Sequence, residues 1–141
     1  RYAEVCALVE TEDLLIRSAE QKVMGFTHAE VGKLLAEKWN LPAKLVSTIA
    51  CHHSPMTAGR FRREAAIVHV ADIFARAIDI GSGGDRKMPV LDREAWSVTG
   101  LEINRAGAIL REMDMEYEDL KSFLDEPSGK TGGGRRASSR V

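Results

Sequence analysis

The sequence predicts an all-α domain, a compact multi-helix bundle. Two observations lead there. Apolar residues recur three and four positions apart in almost every segment, while no segment alternates with period two. The apolar segments are also punctuated by residues that start and stop helices, with no internal repeat among them.

Taken in order, Arg1 to Glu10 places Tyr2, Val5, Cys6 and Val9 at helical spacing, and Thr11 stands ahead of Glu12 and Asp13 as the N-cap of a second helix. That helix carries Leu14, Leu15, Ala19 and Val23, and Gly25 can supply the left-handed residue that ends it. Thr27 and Glu30 form a T-x-x-E capping box, the clearest helix start in the chain. Along this third helix His28, Val31, Leu35 and Trp39 share a face, which predicts a buried Trp39, and Gly32 leaves room beside the His28 imidazole. Asn40 closes the helix and Pro42 suits the first turn of the next, where its missing N–H is not needed. Leu45, Val46, Ile49 and Ala50 form the expected buried stripe of that fourth helix. His52 and His53 continue the stripe at its C-terminal end, and Ser54-Pro55 stops the helix.

A basic loop with Arg60, Arg62 and Arg63 precedes a longer helix marked by Ala66, Ile67, Val70, Ala71, Phe74 and Ile78, on which His69 and Asp72 share a face. Gly81-Ser82-Gly83-Gly84 opens a loop that runs through Pro89 to an N-cap at Asp92. A short helix with Trp96 and Val98 breaks at Gly100. Leu101 to Leu124 then reads as a helix or a kinked pair, with Ile103, Ala106, Ile109, Leu110, Met113 and Tyr117 on its apolar side. From Pro127 the composition shifts to Gly, Ser, Lys and Arg, too polar to offset the entropy of ordering. The domain is therefore placed at residues 1–126 and a flexible tail at 127–141. The chain opens at Arg1 directly in helical sequence, which suggests a fragment lacking its N-terminal portion.

Composition narrows the function classes. The 141 residues are 44% hydrophobic, enough for one domain with a sizeable core. Twenty basic and 21 acidic residues leave a net charge of -1, which predicts no nucleic-acid partner and no attraction to an acidic membrane. Cys6 and Cys51 lie far apart with no C-x-x-C spacing, which argues against a zinc knuckle or a disulfide framework and suits a reducing cytoplasm. No apolar run approaches the roughly 20 residues of a membrane span, so a soluble, cytoplasmic chain is expected.

All four histidines fall between Thr27 and Asp72. Their helical placement aims His28, the His52–His53 pair and the His69/Asp72 pair at what could be one shared pocket. Neutral imidazoles with a carboxylate are ordinary ligands for zinc, manganese or iron, and a metal-bound water could attack a phosphoester. Spacing alone equally supports structural roles: a buried hydrogen-bonded imidazole for His28, helix C-capping for His52 and His53, and pairing with Asp72 for His69. Trp39 and Trp96 read as core anchors. The three arginines read as a solvated loop.

The order T-H-A-E-V-G-x-L-L-A-x-x-W-x-L-P, then H-H-x-P, then I-V-H-V-A-D, then L-D-x-x-A-W-x-x-x-G-L resembles the HDOD domain, the HD-related output domain of bacterial signalling proteins. The resemblance covers Arg1 to about Leu120. It implies an all-helical, HD-domain-like bundle distantly related to the HD and HD-GYP metal-dependent phosphohydrolases. By that resemblance His28, His52, His53 and Asp72 fall where the hydrolytic relatives surround one or two metal ions. The His-Asp doublet of those enzymes and the G-Y-P signature are both absent, and Ser54 follows the histidine pair where the relatives carry Glu. The resemblance thus implies a non-enzymatic regulatory module with a degenerate site at His28, His52, His53, His69 and Asp72. It implies no cofactor and no metal, and partners that are signalling proteins or receiver and cyclic-nucleotide signalling domains. One alternative is a phosphohydrolase using Mn, Fe or Zn whose site an upstream segment completes. Another is a sensor that binds a phosphate or nucleotide without turning it over.

Overall fold

The computed structural model describes residues 1–125, so the expected tail at 127–141 lies outside the described residues. These residues form seven α-helices and one 3-10 segment, with no strand among them. α1 (Tyr2–Glu12) and α2 (Ile16–Met24) pack on each other around Val5, Val9, Ile16 and Ala19. α1 runs through Thr11, whose hydroxyl donates to the Ala7 carbonyl inside the helix, so Thr11 does not cap α2. The cap comes from a residue remote in sequence: the Asp85 carboxylate accepts from the Ile16 N–H at 2.7 Å. Local sequence could not reveal that.

α3 (His28–Lys38), α4 (Ala43–Cys51), the 3-10 segment (Pro55–Phe61), α5 (Arg62–Ala77) and α6 (Arg93–Thr99) form a second packed group. Thr27 and Glu30 make the expected capping box, the Glu30 carboxylate accepting from the Thr27 N–H at 2.7 Å. Gly25 ends α2 and Gly100 ends α6 in left-handed backbone, and Asp92 caps α6 by accepting from Glu94 and Ala95 N–H.

The core of this group is built from small residues: Ala29, Ala36, Ala58, Ala65, Ala66 and Ala95, with Val70, Ile73 and Phe74. Short side chains let the helix axes approach closely, which decides the orientation of α3. Its buried face is Ala29, Gly32 and Ala36, turned to α4, while Val31, Leu34 and Leu35 stay exposed. A Cβ at Gly32 would lie 2.8 Å from Ile49 Cγ2, so the glycine makes room for α4 and not for the His28 ring. The predicted burial of Trp39 is wrong. Trp39 has left the helix at its C-cap and is 66% exposed. On α4 the expected stripe is also rotated, with Thr48 buried and Leu45 exposed. Trp96 is half-buried against Phe74, with ring centroids 6.1 Å apart.

The two groups are joined by the connection between α5 and α6, which contains the predicted Gly81 to Pro89 loop. Asp85, its side chain 1% exposed, accepts from Arg76 Nη1 and Lys87 N–H at 3.0 Å each while its other oxygen caps α2. Gly84 has φ 82°, and a Cβ there would sit 3.3 Å from Ile16, so both its conformation and its surroundings call for glycine. α7 (Ile103–Asp125) packs extensively on none of the other described helices. No described helix is long and apolar enough to cross a membrane.

Two outcomes follow. Asp85→Ala leaves the largely buried Arg76 guanidinium facing a cavity and uncaps α2, so it should cost about 3–5 kcal/mol, read as a lowered midpoint in chemical denaturation. Trp39→Ala should change stability by no more than about 0.5 kcal/mol, the ordinary range for an exposed position, in the same assay.

Candidate functional site

Three of the five predicted site residues come together. His28 enters at the first turn of α3, and His52 and His53 follow the last turn of α4. The packing of α3 on α4 brings their rings into contact. Ring centroids of His52 and His53 are 3.9 Å apart, and those of His28 and His53 are 4.9 Å apart, edge to face. His28 Nε2 and His53 Nε2 lie 2.8 Å apart, so a single proton must lie between them.

Hydrogen bonds around the cluster assign most of the remaining protons. His28 Nδ1–H donates to Glu20 Oε2 at 2.7 Å, and the same oxygen accepts the His28 backbone N–H at 3.0 Å. Nδ1–H of His52 donates to the Ile49 carbonyl at 2.8 Å, closing the end of α4 and leaving the His52 Nε2 lone pair free toward the cluster. Burial depresses the His52 pKa below its ordinary value, more than its bond to Ile49 raises it. His53 is pushed down to about 3, first by burial and then by its imidazole neighbours His52 and His28, with Arg17 and Arg76 adding to the effect. At neutral pH, then, His52 and His53 are uncharged bases.

The other two predicted residues stand apart. His69 is buried, and both its ring nitrogens are occupied: Nδ1–H donates to the His52 carbonyl at 2.8 Å and Nε2 accepts the Asp92 N–H at 3.1 Å. This fixes one neutral tautomer and makes His69 a staple joining the ends of α4 and α6 to α5. The expected pairing of His69 with Asp72 is therefore absent. Asp72 instead faces Arg76, one turn further along α5, at 3.6 Å. Glu64 pairs with Lys44 at 3.1 Å and Glu30 is held in its capping box, so neither brings a carboxylate to the imidazoles.

Sequence reasoning missed Glu20, Arg17 and Asp85. Glu20 left a signal: it stands with Ile16, Ala19 and Val23 on the apolar face of α2, and a charged side chain at such a position needs a buried partner. Its partner is His28. Arg17 donates to the His53 carbonyl at 3.3 Å, a contact between two helices that no spacing rule reports.

The side-chain nitrogens of His28, His52 and His53 all lie within 4.8 Å of one another. Zinc–imidazole bonds of about 2.0–2.1 Å imply nitrogens roughly 3.4 Å apart in a tetrahedral site, so the three could hold one ion only if the His28–His53 nitrogens moved apart from 2.8 Å and His52 adjusted to them. Glu20 would then orient His28 through the far side of its ring, as carboxylates do for metal-bound histidines. The donor set does not fit a carboxylate-bridged metal pair, because Glu20 and Asp72 are already engaged. Beside His53 lies a cavity of about 170 Å³ bordered by Ile16, Arg17, Arg76 and Val90. That is below the roughly 300 Å³ at which ordinary small-molecule pockets begin.

A family model for the HDOD domain matches residues 1–55. Among solved structures, the chain is similar to an HDOD domain protein of unknown function from Geobacter sulfurreducens, with 25% sequence identity and a TM-score of 0.66 over 89% of this chain. It spans 45% of the length of that protein. No curated protein matches. The family resemblance and the all-helical fold expected from the sequence are both borne out.

The depressed His53 pKa makes stability depend on pH. Between about 3 and the ordinary 6.5, the unfolded chain binds a proton that folded His53 refuses. Stability present above 6.5 should therefore fall as pH drops toward 3, and His53→Gln should flatten the decline. Denaturation midpoints for both chains across that range check this.

Proposed function

We propose, from its kinship with HDOD domains, that this chain is a non-enzymatic regulatory module of bacterial signal transduction whose histidine cluster serves structure and ligand response, not catalysis. What supports the reading is the engagement of the carboxylates around the cluster. Glu20 is hydrogen-bonded to His28, and Asp72 faces Arg76 at 3.6 Å and not the imidazoles. A phosphohydrolase site of this kind needs anionic ligands to balance one or two cations, and the three converging imidazoles bring no carboxylate with them. The tautomers fit a structural role, with His52 closing α4 and His28 tying α3 to α2. Partners would be signalling proteins, including receiver or cyclic-nucleotide signalling domains, met in the cytoplasm through protein contacts.

One observation favours the second reading, a metal-dependent phosphohydrolase: the convergence of His28, His52 and His53 is a plausible three-nitrogen donor set. An ion held there would supply Lewis-acid polarisation of a phosphoester. Glu20 would keep His28 in the ligating tautomer, and His52 is held in its own by Ile49.

Isothermal titration with manganese and zinc, paired with turnover assays on generic and cyclic-dinucleotide phosphoesters, separates the two. The regulatory reading expects no turnover, and His52→Ala altering stability or partner binding only. Micromolar metal affinity together with turnover that His52→Ala abolishes would establish the hydrolase instead.

A further inference from the structure

Arg17 lies half-buried on α2 at the junction of the two helix groups, and the carboxylates nearest to it in sequence and space are all taken. Asp13, one turn earlier, pairs with Lys87 at 2.9 Å, and Glu20, three residues on, meets His28 at 2.7 Å. Asp85 is shared by Ile16, Arg76 and Lys87. Among the described residues the Arg17 guanidinium spends one of its several N–H donors, in a long bond from Nη1 to the His53 carbonyl at 3.3 Å. Arg76, the other cation here, is balanced from two sides, by Asp85 at 3.0 Å and Asp72 at 3.6 Å. Arg17 has no such counter-charge, and a half-buried cation favours an anion beside it.

The cavity of about 170 Å³ beside His53 is bordered by this guanidinium. Much of its remaining wall is apolar, with Leu15 and Ile16 from the start of α2 and Pro89 and Val90 from the connection between α5 and α6. Val90 is 88% exposed and so stands at the rim. The volume is several times the roughly 30 Å³ that a water takes up in the liquid, room for an organic ion of about three to five carbons.

We propose that this cavity binds a short aliphatic monocarboxylate, its head on Arg17 and its hydrocarbon body against Leu15, Ile16, Pro89 and Val90. The planar guanidinium fork matches a carboxylate through two parallel N–H···O bonds. Phosphate suits the cavity less, because a dianion would add a second negative charge to an apolar-walled space that Asp85 already borders. A bare ion such as chloride would leave the apolar wall unused, whereas each buried methylene adds to affinity. An occupant touches α2 on one side and the α5–α6 connection on the other, the same junction that Asp85 holds. The site takes no imidazole nitrogen as a ligand and stands whether the histidines are structural or hold an ion.

Isothermal titration of the full chain with sodium butyrate, at constant ionic strength, is the test. A dissociation constant of about 0.1–1 mM is expected, ordinary for a ligand of so few atoms. Butan-1-ol lacks the charge and inorganic phosphate lacks the aliphatic body, so each should bind at least about tenfold more weakly. Arg17→Gln keeps a donor for the His53 carbonyl but removes the charge, and should weaken butyrate at least about tenfold. Should that variant fold poorly, Val90→Asp sets a like charge at the exposed rim and should weaken butyrate at least about threefold. A chain that takes up no butyrate at about 10 mM overturns the proposal. So does phosphate or butanol binding as tightly as butyrate, or a butyrate affinity that either folded variant leaves unchanged.

Discussion

The arrangement of the described residues hangs on one buried carboxylate. Asp85 accepts from the Ile16 N–H at the start of α2, from Arg76 on α5 and from Lys87 in its own loop. Few apolar residues bridge α1–α2 and the remaining helices, because each group keeps its own small core. Polar contacts must therefore set their relative position. Those contacts are directional and leave Asp85 and Arg76 sheltered from water, where a charge-assisted bond is strong and a missing partner is costly. Lys87 adds a more exposed ion pair to Asp13 at 2.9 Å, Arg17 a hydrogen bond to the His53 carbonyl, and Glu20 its bond to His28.

The histidine cluster sits at this same seam between the two groups. Glu20 and Arg17 come from α2; Glu20 meets the His28 imidazole of α3, and Arg17 meets the His53 backbone carbonyl just past α4. Whatever alters the cluster thus acts on the contact between the groups. An ion or ligand taken up by the imidazoles would act directly on the His28–Glu20 link. The small cavity beside His53 is bordered by Ile16 and Arg17 of one group and Arg76 of the other, so it reports on the same junction.

The unpartnered apolar surface tells a complementary story. α3 turns its small residues inward and leaves Leu34 and Trp39 exposed, and α7 leaves Ile103, Leu120 and Leu124 exposed. Burying large apolar side chains stabilises by roughly 1.5–3 kcal/mol each, so surfaces of this kind are strong contact sites.

Sequence by itself determined most helices and several of their ends, though not the junction of α1 and α2 or the start of α5, where Arg62 and Arg63 lie in the helix and not in a loop. The capping box at Thr27, the glycines at 25 and 100 and the N-cap at Asp92 act through bonds within one turn, and local chemistry is written locally. The HDOD resemblance was legible for the same reason, being carried by contiguous motifs. Which face of each helix is buried was not legible. Periodicity marks an apolar face, but close approach of α3 and α4 needed Ala29, Gly32 and Ala36 inside, and that preference for short side chains overrode the larger apolar residues around Trp39. Tertiary structure alone decided the partners of the charged groups. Asp85 reaches α2 across 69 residues, Glu20 claims His28, and His69 is drawn to two backbone groups in place of Asp72. These pairings depend on which elements meet in space, and helical spacing relates only residues on the same helix.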